Sequence, residues 1–264
     1  MISAENISVA LGGHQILSNL SLKICPGEIV AMVGANGAGK STSLRVLSGE
    51  IKPDTGLVKL NEKPLNSWDP KERARRMAVL PQSSTLSFGL SVEDIVALGR
   101  LPTDGITTKE QDETIIEEAM RRTDILHLAR RNYLSLSGGE KLRTHLSRTI
   151  AQVIDHDGKY DKALLLDEPT SSLDLNHQLR VLELVRELAN EGMCIFTILH
   201  DLNLAARFAD RLYVLKSGEC IRQGRVNEVL DEAVLLEGFG LVTKLVEVDG
   251  LSHPTVCVIE RIKN

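Results

Sequence analysis

Gly34-Ala35-Asn36-Gly37-Ala38-Gly39-Lys40-Ser41 satisfies G-x-x-x-x-G-K-[ST] at every fixed position. In that pattern the backbone amides of a glycine-rich loop surround a β-phosphate. The Lys40 ammonium reaches the β and γ oxygens, and the Ser41 hydroxyl offers a hard oxygen to Mg²⁺. An apolar run at 29–33 precedes the loop, and a helix-like stretch through Thr42 ends at Leu47 before Ser48-Gly49. Strand, glycine-rich loop and helix in that order are the context in which such a loop binds nucleotide. Gly34, Ala35, Asn36, Gly37, Ala38, Gly39, Lys40, Ser41 and Thr42 are therefore the candidate nucleotide-binding residues.

Three further positions can act on the same phosphates. Leu164-Leu165-Leu166 reads as a buried strand that releases Asp167-Glu168 at its end. Asp167 can hold Mg²⁺ through water, and Glu168, pointing elsewhere, can orient or deprotonate an attacking water. Taken alone, an acidic pair after a strand is also a helix-capping signal. His200 follows the apolar run 193–199, at the carboxyl edge where ligands of an open α/β sheet collect. A lone histidine there is commonly structural; here it can contact a γ-phosphate as a neutral donor. Gln82 follows 78–80 and Pro81 in a similar position and can touch both Mg²⁺ and the attacking water. The catalytic candidates are Glu168, His200 and Gln82; the metal candidates are Ser41, Gln82 and Asp167.

Leu136-Ser137-Gly138-Gly139-Glu140 is a second phosphate-friendly element. Gly138 and Gly139 carry no side chain, so a phosphate can approach the free amides of a helix start. Ser137 and Glu140 have the spacing of a capping box, so an ordinary well-capped helix explains the motif by itself. Together with the loop at 34–41, it implies a nucleotide held from two sides.

The elements that must position these residues read as α/β. Residues 7–9, 20–24, 58–60 and 78–80 are strand-like, and 91–154 turns helical, with paired arginines at Arg121-Arg122 and Arg130-Arg131 expected on solvated helix faces. The α/β pattern then returns, with a helix over 176–191 capped by Asp174, a helix to Ala209 capped by Asp201, and a hairpin across Ser217-Gly218. The tail from 226 holds a helix and strand-like runs at 244–248 and 255–259. We expect a single domain over 1–264: an α/β core from about 1–90 and 155–225, a helical segment at about 91–154 and a C-terminal extension from about 226.

Composition narrows the function. The chain has 264 residues, 42% hydrophobic and 25% charged, enough for a substantial globular core. A net charge of -5 and only 3% aromatic residues argue against nucleic-acid binding. The start lacks the basic and apolar regions of a signal peptide, and no window reaches the ~20 apolar residues needed to cross a bilayer. Cys25, Cys194, Cys220 and Cys257 form no C-x-x-C pair, and three lie in apolar strand-like runs. We expect buried free thiols in a reducing compartment. Cys25-Pro26 sits at a turn and reads as structural.

In their order along the chain, the loop at 34–41, Gln82, the signature 136–140, Asp167-Glu168, the turn Ser171-Ser172-Leu173-Asp174 and His200 resemble the ATP-binding cassette (ABC) ATPases. The resemblance extends over nearly the whole chain. It implies a P-loop NTPase (RecA-like) α/β core with an N-terminal antiparallel β subdomain and an inserted α-helical subdomain. It also implies a homodimer using ATP and Mg²⁺, in which Ser137, Gly138 and Gly139 of one copy cover ATP on the other, with Asp174 at the seam. Gln82 would link closure to two transmembrane permease subunits, served indirectly by a periplasmic substrate-binding protein. The implied location is peripheral, on the cytoplasmic face of the bacterial inner membrane.

Val96-Ala97-Leu98-Gly99-Arg100-Leu101-Pro102, His200-Asp201-Leu202-Asn203 and Ala205-Ala206 are similar to the importer branch for iron–siderophores, haem and cobalamin. A polar insertion at 155–162 is similar to the haem-import ATPases, which makes haem the expected cargo and siderophore or cobalamin the alternative. A soluble ABC ATPase and a small-molecule kinase are readings from other classes. The former usually carries long inserts or two cassettes, and the latter leaves 136–140 and His200 without a task.

Two positions depart from the family pattern. Leu11 stands where an aromatic residue usually stacks on adenine, keeping apolar contact without π stacking. Glu140 replaces the common glutamine, and a carboxylate beside a polyphosphate is unfavourable by Coulomb's law. We expect Glu140 to turn back onto its capping-box partner amide.

Overall fold

Three apolar runs without alternation, Ile29–Gly34, Ala163–Asp167 and Cys194–Ile198, form strands buried at every position, as parallel strands covered on both faces must be. The structure, a computed structural model, describes residues 1–83, 86, 87, 89–154 and 162–261. In chain order it forms β1 (Ile2–Leu11), β2 (His14–Ile24), β3 (Ile29–Gly34), α1 (Lys40–Leu47), β4 (Thr55–Leu60), β5 (Lys63–Pro64), α2 (Pro70–Arg76), β6 (Met77–Leu80), α3 (Val92–Ala97), α4 (Lys109–Arg122) and α5 (Gly138–Val153). There follow β7 (Ala163–Asp167), α6 (Leu175–Asn190), β8 (Cys194–Ile198), α7 (Leu202–Phe208), β9 (Arg211–Lys216), β10 (Glu219–Arg225), α8 (Val226–Val229), α9 (Glu232–Phe239), β11 (Leu241–Val246) and β12 (Thr255–Arg261).

The central sheet has the order β10-β9-β3-β8-β7-β6, parallel except for β10 at one edge. Strand alternation divides its side chains between two cores. Val30, Met32, Leu165, Phe196 and Ile198 face the antiparallel sheet β2-β1-β4-β5. Ile29, Ala31, Val33, Leu164 and Leu166 face the opposite way, into the layer that holds α3–α6. β1 and β2 run longer than their sequence pattern because register shifts between Ala4 and Ile7, and again at Val9, break the alternation.

Register sets the site. Met32 pairs with Ile198, Ile198 with Asp167, and Leu166 with Leu80. The loop from Gly34, Gln82, Glu168 and His200 therefore all leave the sheet within two residues of one common level, at its carboxyl edge. Helix α5 packs against α3 and α4. The tail forms a separate two-stranded sheet, β11-β12, beside α7 and α9.

Some expectations need correction. Only Arg121-Arg122 lie on a helix, paired with Glu117, Glu118 and Glu191; Arg130-Arg131 lie in the turn before α5. Cys194 alone is buried, Cys25 and Cys220 are half-buried and Cys257 is exposed, because β12 turns one residue inward, Val256. The insertion at 155–162, apart from Lys162, lies outside the described residues. No helix among the described residues is long and apolar enough to cross a membrane.

Candidate functional site

The loop from Gly34 to Gly39 folds against two backbone carbonyls. A Cβ at Gly34 would lie 2.3 Å from the Leu215 carbonyl oxygen, so only glycine fits. Gly39, with φ 101°, is the N-cap of α1 and supplies no side-chain cap, leaving the first amides of the helix facing the loop. Lys40 Nζ donates to the carbonyls of Gly34 at 2.9 Å and Ala35 at 3.0 Å. Burial lowers the Lys40 pKa, and the charges of Glu168 and Asp167 oppose that shift.

Asp167 and Glu168 diverge because Glu168 adopts a left-handed backbone, φ 54°. Its amide still donates to the Ile198 carbonyl at 3.2 Å, which anchors the turn to β8. Asp167 Oδ1 lies 3.5 Å from Ser41 Oγ, while Glu168 Oε1 meets His200 Nε2 at 2.5 Å. Asp167 is buried, and that burial raises its pKa against the Ser41 hydrogen bond. Ile16, Asn36, Gly37, Gly39, Lys40, Ser41, Thr42, Gln82, Glu168 and His200 line one cleft of about 690 Å³. The chemistry of Ser41 and Asp167 fits Mg²⁺: two hard oxygens converge beside a phosphate loop. Among the described residues no three carboxylate, histidine or cysteine groups converge on a cation site, so an ion held by Ser41 and Asp167 would need further ligands from outside the chain.

The signature residues lie outside this cleft. Ser137 caps α5, with its Oγ accepting from Glu140 N at 3.3 Å and its own N–H donating to Glu140 Oε2 at 2.7 Å. Glu140 therefore turns back as expected. The Ser137 amide holds its pKa below the usual carboxylate value, and Arg131 lies 3.8 Å away. Ser137 and Gly138 are exposed. A Cβ at Gly139 would meet Leu173 Cδ2 at 3.0 Å, so this turn packs on Ser172 and Leu173 of its own chain. Asp174 caps α6, accepting from His177 N at 2.9 Å.

The sequence model of the ABC transporter family matches residues 17–171. The chain belongs to the ABC transporter family. The cassette is 45% identical over 256 residues to the hemin import ATP-binding protein HmuV of Pseudomonas aeruginosa, covering 97% of this chain and 99% of that one. It is 43% identical to the protein of that name from Myxococcus xanthus, covering 97% and 96%. A metal-chelate type ABC transporter in an inward-facing conformation superposes with a TM-score of 0.80 at 27% identity, covering 98% and 96%. The dimeric cassette MJ0796 gives 0.75 at 27% identity, covering 85% and 98%.

Three residues of the cassette escaped the sequence reading. Ile16, on the hairpin that follows Leu11, lines the cleft, whereas Leu11 is exposed at the turn. Arg100 is buried against the last turn of α5. Asn203 bonds the C-terminal strand. The runs that held Arg100 and Asn203 stood out as branch markers, but a marker does not say what a side chain touches.

Proposed function

We propose that this chain is the ATP-hydrolysing subunit of a bacterial haem importer. Full-length likeness to hemin import ATP-binding proteins supports the cargo. The observation that carries the chemistry is the convergence of Lys40, Ser41, Gln82, Glu168 and His200 on one cleft, with the signature turn outside it.

The site acts in the following way. Amides of the loop and of the first turn of α1 receive the phosphates, and Lys40 exchanges its carbonyl partners for the β and γ oxygens. Ser41, Asp167 and Gln82 are the residues that would hold Mg²⁺, and a bound ion would draw negative charge off those oxygens. Glu168 orients and deprotonates the attacking water, and His200, in contact with Glu168, steadies the γ-phosphate side. An exposed Ser137-Gly138 turn is complementary to a phosphate in a second copy, so two chains pair head to tail. We further propose the subdomain division given above, two permease subunits reached through Gln82 and the helical segment, a periplasmic binding protein feeding them, and a position on the cytoplasmic face of the inner membrane.

The test is Glu168→Gln. This variant is expected to bind MgATP, lose about 10²–10⁴-fold in turnover and accumulate as a dimer in sedimentation. Normal turnover by a monomer would remove Glu168 from its role. For cargo, the chain reconstituted with its permease is expected to hydrolyse ATP faster with a haem-loaded binding protein. Stimulation by a ferric siderophore instead would favour the second reading, which the metal-chelate type neighbour keeps open.

A further inference from the structure

His200 has little packing to hold it. Its side chain is 46% exposed, yet its Nε2 sits on Glu168 Oε1 at 2.5 Å. A ring that solvent can reach keeps such a position only if the backbone carrying it is fixed. Leu199 N donates to the Met32 carbonyl at 3.3 Å on the sheet side. Beyond His200, the backbone is fixed by whatever anchors α7.

Two anchors hold the start of that helix. Asp201 Oδ1 accepts from the amides of Asn203 at 2.7 Å and Leu204 at 3.0 Å, an ordinary N-cap. The other anchor is external. Asn203 Oδ1 accepts from Val256 N at 2.7 Å, and Asn203 Nδ2 donates to Val256 O at 3.3 Å. One carboxamide thus grips both backbone groups of one residue, as a neighbouring strand would. The residues are 53 apart in sequence. Val256 is also the buried position of β12, at 6% exposure, and pairs with Leu245 of β11. Because Val256 turns both its backbone groups toward Asn203, the edge of the terminal hairpin is secured to α7 at this point. From Cys257 to Arg261 the strand is exposed.

We propose that Asn203 is a positioning residue for hydrolysis: by gripping Val256 it uses the C-terminal hairpin as a brace that keeps His200 against Glu168. This inference rests on the roles given above to His200 and Glu168. It makes the β11-β12 sheet part of the support of the reaction centre. Two features argue that the amide chemistry matters more than its bulk. Both polar atoms are used, and each faces the matching backbone group. A carboxylate of the same size retains the acceptor and loses the donor, placing an anionic oxygen opposite the Val256 carbonyl.

The experiment is a double-mutant cycle on ATP hydrolysis by the full chain, using Asn203→Leu, His200→Ala and the double variant. Turnover is measured with MgATP under steady-state conditions, which give kcat and KM separately. Asn203→Leu is expected to lower kcat by about tenfold, as expected of a misplaced catalytic group, with KM within about twofold of wild type. In the His200→Ala background the same change is expected to cost less than about twofold, because coupled residues are not additive. Asn203→Asp, which preserves volume and the 2.7 Å acceptor, is expected to fall between wild type and Asn203→Leu, and it reads the same coupling should the leucine variant fail to fold. Unchanged kcat in Asn203→Leu and Asn203→Asp overturns the proposal. So does an equal loss in both backgrounds, or a loss that appears only as raised KM and a lowered Tm. A His200→Ala variant with wild-type turnover would instead overturn the reading of His200 and this inference with it. Full His200 dependence with no effect of Asn203 would overturn this inference alone.

Discussion

Replacing Arg100 by methionine tests how the signature helix is held. The Arg100 side chain is 4% exposed and lies at the far end of α5 from Ser137. Its Nε donates to Asp112 Oδ1 at 2.8 Å, and its Nη1 donates to the carbonyls of Ala151 at 2.6 Å and Ile154 at 3.3 Å. Those two carbonyls belong to the end of α5, where a cation also opposes the negative end of the helix dipole. Methionine retains most of the aliphatic volume and removes every one of these bonds. Each orphaned carbonyl costs about 1–3 kcal/mol when water cannot replace the donor. Asp112 adds little, because it is partly exposed and keeps the Thr107 hydroxyl at 2.8 Å. The expected loss from the two carbonyls is about 2–6 kcal/mol. At about 2–4 °C per kcal/mol for a chain of this size, Tm should fall by about 4–24 °C. Differential scanning calorimetry of both proteins gives the answer, and Arg100→Lys should not rescue, because a single ammonium cannot reproduce the fork. A Tm within about 2 °C of wild type would refute the assignment of Arg100 as the cap of this helix.

Lys40→Ala removes a buried ammonium from the phosphate loop; with about 1.5–3 kcal/mol per charged hydrogen bond, the Kd for ATP should rise by about 10–150-fold in calorimetric titration. Gly99→Ala would place a Cβ 2.3 Å from the Arg148 carbonyl of α5, and a backbone atom cannot step aside, so unfolding should show a loss of about 1–3 kcal/mol. Glu140→Gln should leave ATP affinity within about twofold, because the Glu140 carboxylate is held on the Ser137 amide; markedly tighter binding would contradict that geometry. The acid response follows from sign. A pKa depressed on folding gives stability that is present above the unfolded value and lost as pH falls through the folded one. The stability difference between wild type and Glu140→Gln should therefore be flat near neutrality and shrink as pH drops below 4.5.

Much of the site was legible because its parts are local. The loop at 34–41 needs glycines at fixed spacing, and Asp167, Glu168 and His200 each follow an apolar run that a buried strand requires. The caps Ser137, Asp174 and Asp201 were equally readable, since a cap acts within three residues. What could not be read is contact at long separation. Nothing in the runs around Arg100 and Asn203 says that one meets the end of α5 and the other meets Val256. The direction of Glu168 depends on a left-handed φ that glutamate rarely adopts. The exposure of Cys257 depends on how few neighbours a two-stranded sheet has.

Helix α5 is capped at its start by its own Ser137–Glu140 box and tied to a neighbouring element at its far end by Arg100, and its sixteen residues make a rod about 24 Å long. Leu98 and Leu101, on either side of Arg100, are among the exposed apolar residues of the chain. A stiff rod pivoted near that end is a lever: turning it by about 10° carries the Ser137 tip through about 4 Å. That travel exceeds the length of a hydrogen bond, so, on the role proposed for the signature turn, a small rotation imposed beside Arg100 would be enough to bring its amides onto a phosphate or withdraw them from it.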